Sequence, residues 1–165
     1  MQNKESLFQE IFKKNSKKIY HLCYGYTGDE DSANDLMQET FMKVWQNLDK
    51  FRNQSMISTW IYRIAVNTCL SWLRVEKRQA KEELTDGIIE TRPEELSEKN
   101  EQVALLYKCI SQLEEKERII ITMVLDELPY SEIAEISGVS EGNLRVKIHR
   151  IKSKLTDIYN RYERF

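Results

Sequence analysis

Proline and glycine are scarce in this 165-residue chain, with two and five residues respectively. So few turn formers leave little punctuation for many short strands and favour long helices. Cysteine is sparse too. Cys23, Cys69 and Cys109 are odd in number, far apart and without a CxxC pair, which excludes a disulfide framework and suits a reducing compartment. Each sits among apolar neighbours, as a small buried thiol does. The only histidines are His21 and His149, and "HLC" (21–23) lacks the partners that a zinc site needs. No Gly-rich phosphate loop or nucleophile elbow occurs. The chain therefore does not read as an enzyme, and no catalytic residue, metal ligand or cofactor is assigned. No apolar run approaches the roughly 20 residues of a membrane span, and "MQNKESLFQEIFKK" has neither an apolar signal core nor a small-residue cleavage site. A cytoplasmic location is expected, with no membrane contact by the chain itself.

What is present is charge, unevenly spread. The formal net charge is −2. Residues 1–78 hold 12 Lys/Arg against 9 Asp/Glu, residues 79–127 hold 6 against 13, and residues 128–165 hold 7 against 5. An acidic middle thus separates two mildly basic ends.

Apolar periodicity is helical almost throughout. Phe8, Ile11, Phe12, Ile19, Leu22, Cys23 and Tyr26 recur at helix spacing until "TGDED" (27–31) breaks the pattern. Ala33, Leu36, Met37, Thr40, Phe41, Val44, Trp45 and Leu48 continue it, with Asp31 or Ser32 as the expected cap. A third run puts Trp60, Ile61, Ile64, Ala65, Cys69, Trp72 and Leu73 on one face. These predict a three- or four-helix unit over about 6–78. Periodicity then lapses in "QAKEELTDGIIETRPEELSEKN" (79–100), an acidic stretch that reads as a flexible linker with Ile88 and Ile89 as a small apolar spot. It resumes at Val103, Leu106, Cys109, Ile110 and Leu113. "IIITMV" (119–124) has strand-like composition, but its surroundings are helical and no partner strand is visible. The fold class predicted is all-α: an N-terminal helical bundle (1–78), the linker (79–100) and a C-terminal helix-turn-helix unit (101–165).

The stretch "YSEIAEISGVSEGNLRVKIHRIKSKL" (130–155) has the layout of a helix-turn-helix. Ile133 and Ala134 face the core from the first helix, Gly138 supplies the turn, and Val139 plugs the core. Ser140 is a good N-cap for a second helix whose Leu144, Ile148, Ile151 and Leu155 form a buried stripe. That leaves Gly142, Asn143, Arg145, Val146, His149, Arg150 and Lys152 outside. Arg can bond a guanine edge bidentately, Asn suits adenine, and Val can touch a thymine methyl. Lys152 and Lys154 are better placed for phosphates.

With these residues in hand, the whole chain resembles a bacterial RNA polymerase sigma factor of the extracytoplasmic-function subfamily. Three blocks carry the resemblance: "SANDLMQETFMKVWQNLDKF" (32–51), "STWIYRIAVNTCLSWLRVEKR" (58–78) and "CISQLEEKERIIITMVLDELPYSEIAEISGVSEGNLRVKIHRIKSKL" (109–155). The first is similar to the region that docks on the polymerase clamp. Its apolar stripe leaves Asp35, Gln38, Glu39, Met42, Lys43 and Gln46 outward, a mixed face that suits a protein contact. The second resembles the helix that recognises and opens the −10 element. Here Arg63, Asn67, Ser71, Arg74 and Arg78 form a polar stripe, with Tyr62 expected as an exposed aromatic and Trp60 and Trp72 as core. By resemblance, the loop "DKFRNQSMIS" (49–58) cradles a flipped base, with Asn53, Gln54 and Ser55 able to bond its edge. The third resembles the region that reads the −35 element, through Ser140, Gly142, Asn143, Arg145, Val146, His149, Arg150 and Lys152. Ser71, Glu114–Glu115, Pro129, Asn143 and Val146 depart from common family choices, and these departures bear on promoter sequence.

The resemblance implies a transcription initiation factor whose partners are core RNA polymerase, promoter DNA and an anti-sigma factor. Elements about 25 base pairs apart lie roughly 85 Å apart, at ~3.4 Å per step. One rigid 165-residue globule, with a radius of gyration of about 15 Å, cannot reach both, whereas two units on a linker can. The competing reading is a stand-alone helix-turn-helix regulator. It leaves the blocks at 32–78 without a role.

Overall fold

The computed structural model describes residues 3–83 and 98–164, and no strand occurs among them. Seven α-helices follow in order: α1 (Lys4–Thr27), α2 (Glu30–Asn47), α3 (Ile57–Glu83), α4 (Glu98–Ile110), α5 (Glu115–Leu125), α6 (Tyr130–Ser137) and α7 (Glu141–Glu163). A short 3-10 turn, Leu48–Lys50, follows α2. Helix runs through both ends of the stretch read as linker, to Glu83 and from Glu98. The rest of that stretch, with Ile88 and Ile89, lies outside the described residues.

Helices α1, α2 and α3 make the N-terminal unit. Gly28 ends α1 at φ +70°, a left-handed turn that glycine adopts without a Cβ penalty. Only Asp29 then separates α1 from α2. Its carboxylate accepts from the Ser32 backbone N–H at 2.8 Å, so Asp29 is the cap, two or three residues earlier than the expected Asp31 or Ser32. Those hydrogen bonds hold its carboxyl below the usual carboxylate range. Ile19, Leu22, Ala33, Leu36, Val44, Ile61 and Ala65 are buried between the three helices, each large one contributing roughly 1.5–3 kcal/mol. The buried hydroxyls of Thr40 and Thr68 donate to the carbonyls of Leu36 and Ile64, one turn back.

The C-terminal unit holds α4 to α7. Its most informative helix is α5, where Ile119, Ile120, Ile121, Thr122 and Met123 are buried in succession. A helix apolar on every side must be covered on every side. Helix α5 packs against α1 as well as against α6 and α7, which explains why its sequence looks strand-like although its structure is helical. The two units accordingly share a continuous apolar core. Tyr24 of α1 meets Tyr107 of α4 edge-on, with ring centroids 4.7 Å apart.

Candidate nucleic-acid interface

The second helix of the helix-turn-helix is built as its sequence predicts. Gly138 ends α6 at φ +73°, and the Ser140 hydroxyl accepts from the Asn143 backbone N–H at 3.4 Å to start α7. Leu144, Ile148 and Ile151 are buried and Leu155 is partly so. Buried Ile133 and partly buried Ala134 and Val139 seat α7 against α6.

Gly142, Asn143, Arg145, Val146, His149, Arg150 and Lys152 are all exposed. Val146 is 51% exposed, an apolar contact offered to solvent among donors. The N-terminal turn of α7 adds backbone N–H groups and the positive end of the helix dipole, both suited to a phosphate. The Arg145 guanidinium lies 5.6 Å from the Tyr130 ring centroid and 3.8 Å from the Glu141 carboxylate, so it is oriented before any ligand arrives. Lys154 differs from expectation. Its ammonium pairs with Glu117 of α5 at 2.5 Å, a contact that raises its pKa. It ties α7 to α5, where a phosphate contact was expected.

The stripe on α3 is divided. Asn67, Ser71, Arg74 and Arg78 are exposed, and neither arginine is ion-paired among the described residues. Arg63 is engaged: its guanidinium donates to the Glu135 carbonyl at 3.3 Å and lies 3.4 Å from that residue's carboxylate. Tyr62, expected to be exposed, is 2% exposed. Burial first, then the nearby carboxylates of Asp126 and Glu132, push its phenol pKa up, and its hydroxyl has no partner. The reason for this correction is tertiary, because α6 packs against α3 over the turn that carries both residues.

In the loop before α3, Asn53 holds a left-handed φ of +54°, which an asparagine tolerates better than most residues. Asn53 and Gln54 are exposed and Ser55 is half-buried. Phe51 leans on Trp60, with centroids 5.0 Å apart, and this pins the base of the loop. Trp60 and Trp72 are partly buried against the core, as expected.

On α2, Asp35, Gln38, Glu39, Met42 and Gln46 are exposed, with Met42 at 62%. Lys43 is held between Glu39, at 2.8 Å, and the Thr68 hydroxyl, at 3.2 Å, so it is a tethered part of that face. Sequence reasoning missed the polar contacts between the units. His21 Nδ1 is 2.9 Å from Asp126 Oδ1, Arg118 donates to the Tyr26 carbonyl at 3.2 Å, and Lys77 pairs with Glu115. Long-range charge pairs leave no mark in sequence spacing. No cluster of three or more metal-ligating side chains occurs among the described residues, and none of the helices there is long and apolar enough to cross a membrane.

A helix-turn-helix with an open basic second helix, joined to a helical unit bearing a second polar stripe, defines a DNA-binding transcription protein. Residues 11–79 match the family model for Sigma-70 region 2, and residues 104–155 match that for Sigma-70, region 4. The ECF RNA polymerase sigma factor SigW of Bacillus subtilis is 31% identical over 167 residues, covering 92% of this chain and 88% of that protein. The ECF RNA polymerase sigma-E factor of Escherichia coli is 30% identical over 164 residues, covering 92% and 85%. Among solved structures, the sigma factor RpoE of Bartonella quintana, in complex with the anti-sigma factor NepR, superposes with a TM-score of 0.75. It is 20% identical, covering 93% of this chain and 96% of that one. CnrH, in complex with the cytosolic domain of CnrY, gives a TM-score of 0.73 at 18% identity, covering 96% and 90%. These two likenesses concern the fold. The chain belongs to the extracytoplasmic-function sigma factor family and is a promoter-directing transcription initiation factor.

Proposed function

We propose that the chain binds core RNA polymerase through the outward face of α2 and directs it to promoters by reading two DNA elements. Asp35, Gln38, Glu39, Met42, Lys43 and Gln46 form the polymerase contact. The stripe of Arg63, Asn67, Ser71, Arg74 and Arg78, with Asn53, Gln54 and Ser55 of the preceding loop, engages the −10 element and helps to open it. Ser140, Gly142, Asn143, Arg145, Val146, His149, Arg150 and Lys152 read the −35 element. The division is 1–78 for the first function, 79–100 as connector and 101–165 for the second. The protein acts without catalysis, in the cytoplasm alongside polymerase. An anti-sigma factor is its expected regulator, a reading supported by the complexes in which both structural relatives were solved.

The observation that carries this reading is the exposed α7 face. Donors, an apolar tip and a capped N-terminus converge there on one side of one helix, in the form that major-groove readout requires. The test is retention of core polymerase by the purified chain, followed by run-off transcription from a promoter library. Initiation from a shared pair of motifs supports the assignment. If core is not retained, the α2 face serves another partner and the stand-alone regulator takes its place.

A further inference from the structure

Helix α1 carries a cationic stripe that none of the three faces described above uses. Residues 11–28 contain Lys13, Lys14, Lys17 and Lys18 and no acidic residue. All four lysines are exposed. Lys14 pairs with Glu10 at 2.7 Å, whereas Lys13, Lys17 and Lys18 form no ion pair among the described residues. Like charges four residues apart, as in Lys13–Lys17 and Lys14–Lys18, destabilise a helix. A face that served only solvation would be more stable with glutamates interleaved, as on α2, where Glu39 answers Lys43. What the stripe lacks is anions.

It borders a groove between α1 and α2 lined by Phe12, Ser16, Lys17, Tyr20, Asn34 and Met37. Phe12 is 40% exposed, and its ring is braced edge-on against Phe41 with centroids 4.8 Å apart. Tyr20 is stacked on Tyr24 at 6.1 Å. Aromatic rings, a hydroxyl and an amide beside a row of ammonium groups suit a single nucleic-acid strand, with phosphates on the cations and an unpaired base against a ring. A duplex keeps its bases stacked inside and would leave the rings idle. The carboxylates of Glu30 and Asp29 act on Tyr20 and repel phosphates there, so the backbone belongs over the lysines and not along α2.

The stripe also lies near the start of α3. Gly25 of α1 lets α5 come so close that a Cβ there would lie 2.5 Å from Thr122 Oγ1. This approach sets Asp126, four residues on, against His21 at 2.9 Å. Lys18 and Lys17 help to hold the charge of that carboxylate, and Tyr62 of α3 feels the same charge. One carboxylate is thus within electrostatic reach of both helices, and a strand opened along α3 passes near α1.

We propose that α1 is a single-strand track: Lys13, Lys17 and Lys18 hold phosphates of an opened DNA strand while the groove at Phe12 and Tyr20 takes one base, whatever its identity. Naming that strand as the one opened at the −10 element rests on the reading of α3 given above. The binding chemistry does not. Lys13 and Lys17 are about 6 Å apart along the axis, at 1.5 Å per residue, comparable with the step between phosphates of an extended strand.

The test uses the full-length chain and a labelled oligothymidylate. In Lys13→Gln/Lys17→Gln/Lys18→Gln the stems and the helix propensity stay while three charges go. Affinity should fall at least tenfold at low salt, and the magnitude of the salt slope should drop by about 2, at ~0.7 per phosphate contact on a single strand. Phe12→Leu should weaken binding at least threefold with the slope unchanged, and an abasic strand should abolish that difference. With core polymerase, the triple variant should shorten the lifetime of the open promoter complex at least fivefold, with core retention intact.

An unchanged slope overturns the track, and weakened core retention with an unchanged slope makes the stripe a protein contact instead. A reduced slope with a normal open-complex lifetime keeps the binding site and overturns its assignment to the opened promoter strand. Arg74→Ala/Arg78→Ala tests the α3 reading apart from this. If that variant initiates normally, the α3 reading fails, and the oligothymidylate slope still decides the track.

Discussion

Helices α7 and α3 carry comparable polar stripes, yet the molecule treats them differently. Every expected contact on α7 is exposed. On α3, the stripe is open from Asn67 to Arg78 and closed at Tyr62 and Arg63. Periodicity reports which side of a helix turns away from its own unit's core. It does not report whether a second unit covers that side. For α7 these two questions have the same answer, and for α3 they do not.

The largest expected effect separates the two units energetically. Leu144→Ala removes a fully buried side chain beneath α7 and should cost about 2–5 kcal/mol. Hydrogen exchange followed helix by helix reads how far that loss travels. Loss of protection across α4 to α7, with α2 retaining it, is the expected pattern. Equal loss in α2 would mean that the shared core makes the chain one cooperative unit, and the comparison of α3 with α7 would lose its basis.

Next in size is the recognition face. Arg145→Ala should cost about 1–3 kcal/mol of promoter discrimination and relax preference at one base position, read by transcription from a −35 library. Lys152→Ala should weaken binding evenly across sequences and reduce the magnitude of the salt slope by about 1. A sequence-selective effect at Lys152 would show that phosphate and base contacts are shared out differently.

The smallest effects compare the two helix caps, one per unit. Ser140→Ala and Asp29→Ala should each cost about 1 kcal/mol near neutral pH. Only the second should depend on acidity. The Asp29 carboxyl is held below its ordinary value of 3.8, so its contribution is full above that value and is lost as pH falls through the lower folded pKa. Thermal unfolding of wild type and Asp29→Ala should converge in strong acid, while the Ser140→Ala difference persists. Tyr62→Phe should leave the closed chain as stable or slightly more so, because it deletes a hydroxyl that has no partner. A clear drop in midpoint temperature would mean that the hydroxyl is satisfied in solution.

Local features were the legible ones. The stripe of Leu144, Ile148 and Ile151, the turn at Gly138 and the cap at Ser140 are read from a few neighbouring residues, and each forms as read. The cap of α2 was displaced only because Gly28 ends α1 so tightly that Asp29 alone remains to serve. Lys154 was read as a phosphate contact, but its partner, Glu117, is 37 residues away in sequence. Spacing carries no trace of such pairs. "IIITMV" contained a hint that went unused: a helix with no polar side must be enclosed, and its enclosure includes the other unit.

By itself, the sequence determined the helices, the helix-turn-helix, the basic recognition face and the family, because helix periodicity, caps and turn glycines act over a few residues. Tertiary structure alone decided that the units close on each other, that Gly25 meets Thr122, and that Tyr62 and Arg63 lie under α6. Those outcomes depend on shape and charge matching between surfaces far apart in the chain, and no local pattern encodes them.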